Sequence, residues 1–110
     1  MSYNILTSGN FVRELKRLAK KYPSLKQDMA LLGESLAENP EQGSPLGRNC
    51  YKIRLAIKSK GRGKRGGARV ITCVVALRES VTLLSIFDKA DQATISDAEI
   101  ERLLIENDLA

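Results

Sequence analysis

Residues 69–77 read RVITCVVAL, nine residues almost without a polar side chain and rich in β-branched ones. A run of this kind, with no alternation of polar and apolar positions, predicts a strand buried on both faces. The rest of the chain must enclose it. Arg78-Glu79-Ser80 makes a tight connection to a second β-like run, Val81–Phe87 (VTLLSIF), so the two predict a hairpin. A third strand is expected upstream at Cys50–Lys58. It alternates: Tyr51, Ile53, Leu55 and Ile57 fall on one face, and Lys52, Arg54 and Lys58 on the other, because successive strand side chains point to opposite sides.

The N-terminal half has different periodicities. Tyr3–Thr7 is short and β-compatible, and Ser8-Gly9-Asn10 punctuates it. From Phe11 the spacing becomes helical, with Phe11, Leu15, Leu18 and Tyr22 on one stripe and Arg13, Lys16, Arg17, Lys20 and Lys21 off it. Pro23 ends this helix. Ser24 with Gln27 fits a capping box for a second one, whose stripe is Leu25, Met29, Leu32 and Leu36. The short turn between them predicts an antiparallel helical hairpin lying on the sheet. Asn39–Asn49, with two prolines and two glycines, is expected to be a surface loop. Ser59–Ala68, with four glycines, is expected to be mobile, and Ser96-Asp-Ala-Glu99 opens a terminal helix. The predicted order is β-α-α-β-β-β-α: an α+β fold with a mostly antiparallel four-stranded sheet, in one domain over residues 1–110.

Hydrophobic residues make up 43% of the chain, enough for a packed core. The net charge of +5 hides a polarity: residues 1–78 carry 16 basic and 5 acidic side chains, residues 79–110 carry 2 and 8. A basic body with an acidic tail suggests a polyanion partner, or an acidic protein competing for the same surface. The two cysteines, Cys50 and Cys73, cannot form a disulfide framework or a four-ligand zinc site, and no histidine assists them. Buried free thiols in a reducing cytoplasm are the expectation. The N-terminus lacks the charged region and long apolar core of a signal peptide, and no run approaches membrane-span length, so a cytoplasmic protein without membrane contact is expected.

The charge concentrates in Arg48–Arg69, where nine basic residues stand without an acidic one. Gly61-Arg-Gly-Lys-Arg-Gly66 matches the dinucleotide fingerprint literally, but a β-branched strand follows it where the fingerprint needs a helix. No nucleotide or other small-molecule cofactor is therefore expected. Without histidine the usual general base is missing. The remaining inventory of Lys, Arg and Tyr suits phosphodiester cleavage by a neighbouring 2′-hydroxyl. There the nucleophile belongs to the RNA, and the protein aligns it, takes a proton and stabilises charge on the phosphoryl oxygens. A lysine crowded by other cations gives up its proton more readily. The blander explanation of the strand cations is the solvated face of a half-exposed strand.

Four segments carry a family likeness: LKRLAKKYPSLKQD (Leu15–Asp28), NCYKIRLAI (Asn49–Ile57), GKRGGARVIT (Gly63–Thr72) and LLSIFDKAD (Leu83–Asp91). With these the chain resembles the RelE/ParE superfamily of toxins from bacterial type II toxin–antitoxin systems, nearest the RelE/HigB branch. The resemblance implies a ribosome-dependent endoribonuclease that cuts mRNA without metal and is neutralised by a cognate antitoxin, expected as a small helix-turn-helix protein. It implies that Lys52 is the base, Arg54 binds phosphate, Arg69 stabilises the transition-state phosphate, and Lys89 is a further phosphate contact or proton donor. It also implies RNA contacts from Lys58, Lys60, Arg62, Lys64 and Arg65, and base stacking by Phe87. The chain departs from the family in having Phe87 where relatives often carry Tyr, and no Tyr in the tail from Ala90 to Ala110. Two alternatives remain open within the same fold: a ParE-like inhibitor of DNA gyrase, and a toxin relic that only binds its antitoxin.

Overall fold

The computed structural model describes residues 2–61 and 63–110. Its elements are β1 (Asn4–Thr7), α1 (Gly9–Lys21), α2 (Leu25–Glu38), β2 (Ser44–Gly47), β3 (Cys50–Leu55), β4 (Ala68–Val75), β5 (Ser80–Asp88) and α3 (Asp97–Glu106). Short 3-10 turns lie at Lys58–Lys60 and Ala76–Arg78. The strands form one sheet in the order β1-β5-β4-β3-β2, in which only β1 and β5 run parallel. No helix among the described residues is long and apolar enough to cross a membrane.

β4 is buried from Ala68 to Val74, as its composition requires. One face of the sheet packs on the helical hairpin through Phe11, Leu18, Leu25, Met29, Leu36, Ile53, Val70 and Ile86. The other packs on α3 through Ile71, Leu84, Phe87, Ile100, Leu103 and Leu104, with Cys50 and Cys73 among them. The two faces of β4 thus belong to two separate cores.

The sheet has five strands, not the expected four. The extra one, β2, lies inside the Pro- and Gly-containing segment read as a loop. Ser-Pro-Leu-Gly has no strand periodicity of its own; its pairing is supplied by β3, and an edge position tolerates Pro45. Arg48 and Asn49 join β2 to β3 with positive φ at both positions, 56° and 63°, as a type I′ hairpin turn requires.

β1 covers only part of β5, and α1 completes the edge. The Ser8 N–H donates to the Leu83 carbonyl (3.0 Å), and the Ser8 hydroxyl and Asn10 amide donate to that of Leu84 (3.1 and 3.0 Å). Glu14 accepts from the Ser85 hydroxyl (2.8 Å) and the Ile86 N–H (3.2 Å). Strand groups that would otherwise be orphaned are satisfied by one helix. Ser8 also caps α1, accepting from the Phe11 N–H at 3.0 Å. The expected Ser96 cap of α3 is present, with the Glu99 N–H donating at 3.1 Å. The expected cap at Ser24 is not: its hydroxyl donates instead to Asp28 (2.7 Å), because a carboxylate one turn on is the stronger acceptor.

One buried hydroxyl, that of Thr72, has no partner among the described residues. A buried unpaired hydroxyl costs free energy that an isosteric methyl does not. Thr72→Val should therefore stabilise the fold by about 1 kcal/mol. The check is a higher denaturant midpoint at unchanged m-value; a lower midpoint would mean the hydroxyl is bonded.

Candidate nucleic-acid interface

The register of β3 on β4 decides which cations meet. The Val74 N–H donates to the Asn49 carbonyl at 2.9 Å, which sets the alternation of the ladder. Cys50–Cys73, Lys52–Ile71 and Arg54–Arg69 are therefore the successive non-hydrogen-bonded pairs, in which opposed side chains come closest. Cys50, Ile71 and Cys73 belong to the core under α3, so Lys52 and Arg54 lie on that same face of the sheet. Arg69 stands between Arg54 on β3 and Phe87 on β5.

Like charges directly opposite each other in a ladder destabilise it unless something neutralises them. Among the described residues, no carboxylate is within ion-pair distance of Lys52, Arg54 or Arg69. Burial first, and the Arg54 charge second, pull Arg69 below the usual guanidinium range. Lys52 is half-buried and Arg54 exposed. This arrangement can receive an anion at the open side of the pair.

Arg69 itself is largely committed. Its guanidinium donates to the carbonyls of Lys64 (3.0 Å), Arg65 (3.1 Å) and Ala68 (3.1 Å), so it holds the basic loop as well as charging the site. The loop expected to be mobile is anchored at both ends. At its start Asp28 accepts from the Lys58 N–H (3.1 Å), and the Ser59 N–H donates to Ser24 (2.8 Å). At its end Gly67 passes so close to β3 that a Cβ would sit 2.1 Å from the Leu55 carbonyl oxygen. Glycine is required there by space.

A second cluster forms where the loop meets the end of β5. The side chain of Asp88 is fully enclosed, and it accepts from the Tyr22 hydroxyl (2.5 Å), the Lys60 ammonium (2.6 Å) and the Ala90 N–H (3.0 Å). Lys60 also lies over the Tyr22 ring, 5.5 Å from its centroid. Beside this group opens a cleft lined by Lys60, Arg65, Gly66, Lys89 and Ala90.

The sequence-predicted residues therefore divide. Lys52, Arg54 and Arg69 share the row across β3 and β4, while Lys89 lines the adjoining cleft with Arg65. Lys58 and Lys64 are exposed, and Arg62 lies outside the described residues. Lys60, expected as an RNA contact, is occupied by Asp88, because a buried carboxylate binds the nearest ammonium. Phe87, expected to stack on bases, is a core residue with 4% exposure, held under α3 by Leu84 and Leu103. Sequence reasoning missed Asp88, Asp28 and Ser24. For Asp88 a signal existed: it is the lone acid ending an apolar strand, and such a charge needs a partner. No group of Asp, Glu and Cys among the described residues is arranged to hold a metal ion.

Burial pushes the Asp88 carboxyl upward, but Lys60, Tyr22 and the Ala90 N–H outweigh it and bring it from 3.8 down to about 2. A depressed carboxylate stabilises the fold fully above its unfolded value and loses that contribution as pH falls through the folded one. Asp88→Asn should cost about 2 kcal/mol at pH 7. Its stability gap from the parent should close between pH 4 and pH 2, where the parent protonates. A gap independent of pH in denaturation curves would refute the assignment.

No protein-family model and no curated protein matches the chain. Solved structures do. A double mutant of the E. coli toxin RelE in the free state superposes with a TM-score of 0.65 at 21% identity, covering 93% of this chain and 98% of that one. The RelBE2 toxin–antitoxin complex from Mycobacterium tuberculosis gives 0.60 at 19% identity, over 83% and 95%. The isolated E. coli RelE toxin gives 0.57 at 20% identity, over 93% and 96%. The chain has the RelE fold.

Proposed function

We propose that this chain is the toxin of a type II toxin–antitoxin system and cleaves mRNA on the ribosome. The observation that carries the reading is the Arg54–Arg69 pair, opposed on a ladder of the RelE fold without a neutralising carboxylate among the described residues, with Lys52 next along the same face. Phosphodiester cleavage needs this: a fixed concentration of positive charge where phosphoryl oxygens gain charge in the transition state.

In this mechanism the 2′-hydroxyl attacks the adjacent phosphorus while Lys52 takes its proton. Arg54 binds the non-bridging oxygens. Arg69 adds its field from within the sheet and keeps the loop in place. The 5′-oxygen leaves with a proton from Lys89, and a cyclic phosphate remains on the upstream fragment. Lys58, Lys64 and Arg65 hold the RNA backbone on either side, and no metal or organic cofactor takes part. The partner is a cognate antitoxin, as the RelBE2 complex pairs a toxin with one; charge complementarity would bring an acidic or amphipathic segment of it onto the basic strand.

Lys52→Ala and Arg54→Ala should each lower the cleavage rate about 100-fold or more and relieve growth arrest, with the melting temperature unchanged. Arg69→Ala should lower both rate and melting temperature, since it frees three carbonyls. Mapping 5′ ends of cellular mRNA after induction should reveal codon-phased cuts. Growth arrest without such cuts would move the target to another enzyme, and full toxicity of Lys52→Ala/Arg54→Ala would remove the site.

RNA affinity should fall steeply with salt, because each neutralised phosphate releases counterions. A flat salt response in a titration would exclude the electrostatic groove.

A further inference from the structure

The row that carries the arginine pair begins with Cys50 opposite Cys73. Both thiols are free and buried, and neither has a part in the cleavage chemistry. Their place in the ladder is specific. The hydrogen bond from Val74 to Asn49 makes Cys50–Cys73 a non-hydrogen-bonded pair. On the other side Cys50 pairs with Gly47 across the two-residue hairpin, so its peptide groups point away from β4. Opposed Cα atoms in such a pair lie about 4.5 Å apart, inside the range of roughly 4.4–6.8 Å that a disulfide spans.

We propose that Cys50 and Cys73 form an oxidation site that closes an intrachain cross-strand disulfide with a small-molecule disulfide as oxidant. The site lies beneath α3, whose Leu103 and Leu104 share the core with both sulfurs. Access is from one side. Cys73, and not Cys50, lines a cleft with Asn49, Arg78, Leu109 and Ala110. The C-terminal segment that walls this cleft is tied back by the Leu109 N–H on the Leu104 carbonyl at 2.8 Å. The coupled pair draws Cys73 down and pushes Cys50 up, and the Cys50 thiol donates to the Arg48 carbonyl at 3.6 Å. Cys73, on the cleft, is the sulfur an oxidant reaches first.

The steps follow. The Cys73 thiolate attacks one sulfur of the oxidant and expels a small-molecule thiolate, leaving a mixed disulfide on Cys73. Cys50 attacks the Cys73 sulfur and expels the second small-molecule thiolate, which carries off the Cys50 proton as it leaves through the cleft. Two cysteine thiols are oxidised and one small-molecule disulfide is reduced to two thiols. The new bond closes a loop that contains the whole basic segment 58–67, which restricts the unfolded chain.

The test uses the native full-length chain, oxidised glutathione as the probe, acid quenching, alkylation in denaturant and mass analysis. Expected is a product two hydrogens lighter than the reduced chain, without alkyl groups, that melts several degrees higher than the reduced form. Cys50→Ser should stop at one glutathione on Cys73, and Cys73→Ser should stay unmodified while folded. A native chain carrying glutathione beside a free thiol would overturn the pairing. Thiols that react only in denaturant would overturn the site, and glutathione on Cys50 of the Cys73→Ser chain would overturn the order of attack. The proposal is independent of the cleavage reading, since the readout contains no RNA.

Discussion

β4 has no solvent face, and the rest of the molecule follows from that constraint. A strand buried on both sides needs cover on both, so the helical hairpin takes one face and α3 the other. Its neighbours β3 and β5 must then present apolar residues toward each cover. A polar side chain on the α3 face of the sheet must be satisfied in place, as Arg69 is by three carbonyls, or stand where α3 does not reach. Lys52 and Arg54 occupy positions of the second kind on β3. The candidate site is thus the uncovered remainder of a face that is otherwise core.

Charge beside a core has consequences of its own. Arg69 is buried and Asp88 is enclosed, and each is tolerated because hydrogen bonds meet it: Arg69 donates to three carbonyls, and Asp88 accepts from Tyr22, Lys60 and the Ala90 N–H. The bonds they make converge on the same segment. Arg69 ties down the carbonyls of Lys64 and Arg65, and Asp88 ties down the Lys60 ammonium. A glycine-rich loop, costly to order by itself, becomes a defined rim of the site. Among the described residues, the cations left exposed on it are Lys58, Lys64 and Arg65, and these can meet a polyanion.

Much of this was legible in the chain. The alternation of Tyr51, Ile53 and Leu55 with Lys52 and Arg54 is a local property, and β3 has the expected faces. The strand expected to reach Lys58 stops at Leu55, and Lys58 begins a 3-10 turn held by Asp28. The helical stripes and the Ser96 cap are equally local. Less local features escaped. β2 is a strand because β3 offers it an edge, and nothing in Ser-Pro-Leu-Gly says so. Ser24 bonds Asp28 in place of capping its helix, and also joins Ser59 of a loop 35 residues away, a partner the capping pattern does not contain. Phe87 faces α3 because its position on β5 is opposite Arg69, so an aromatic read as a stacking surface became core.

The sequence by itself determined the class of fold, the order of helices and all strands but one, and which strand carries cations on a single face. These depend on periods of two and 3.6 residues, which neighbouring side chains specify. Only the tertiary structure decided which cations are free and which are engaged. Lys60 meets Asp88 across 28 positions, and Arg54 meets Arg69 through a register set between strands. Burial and register join residues far apart in the chain, and no local period encodes the partner that a charge will find.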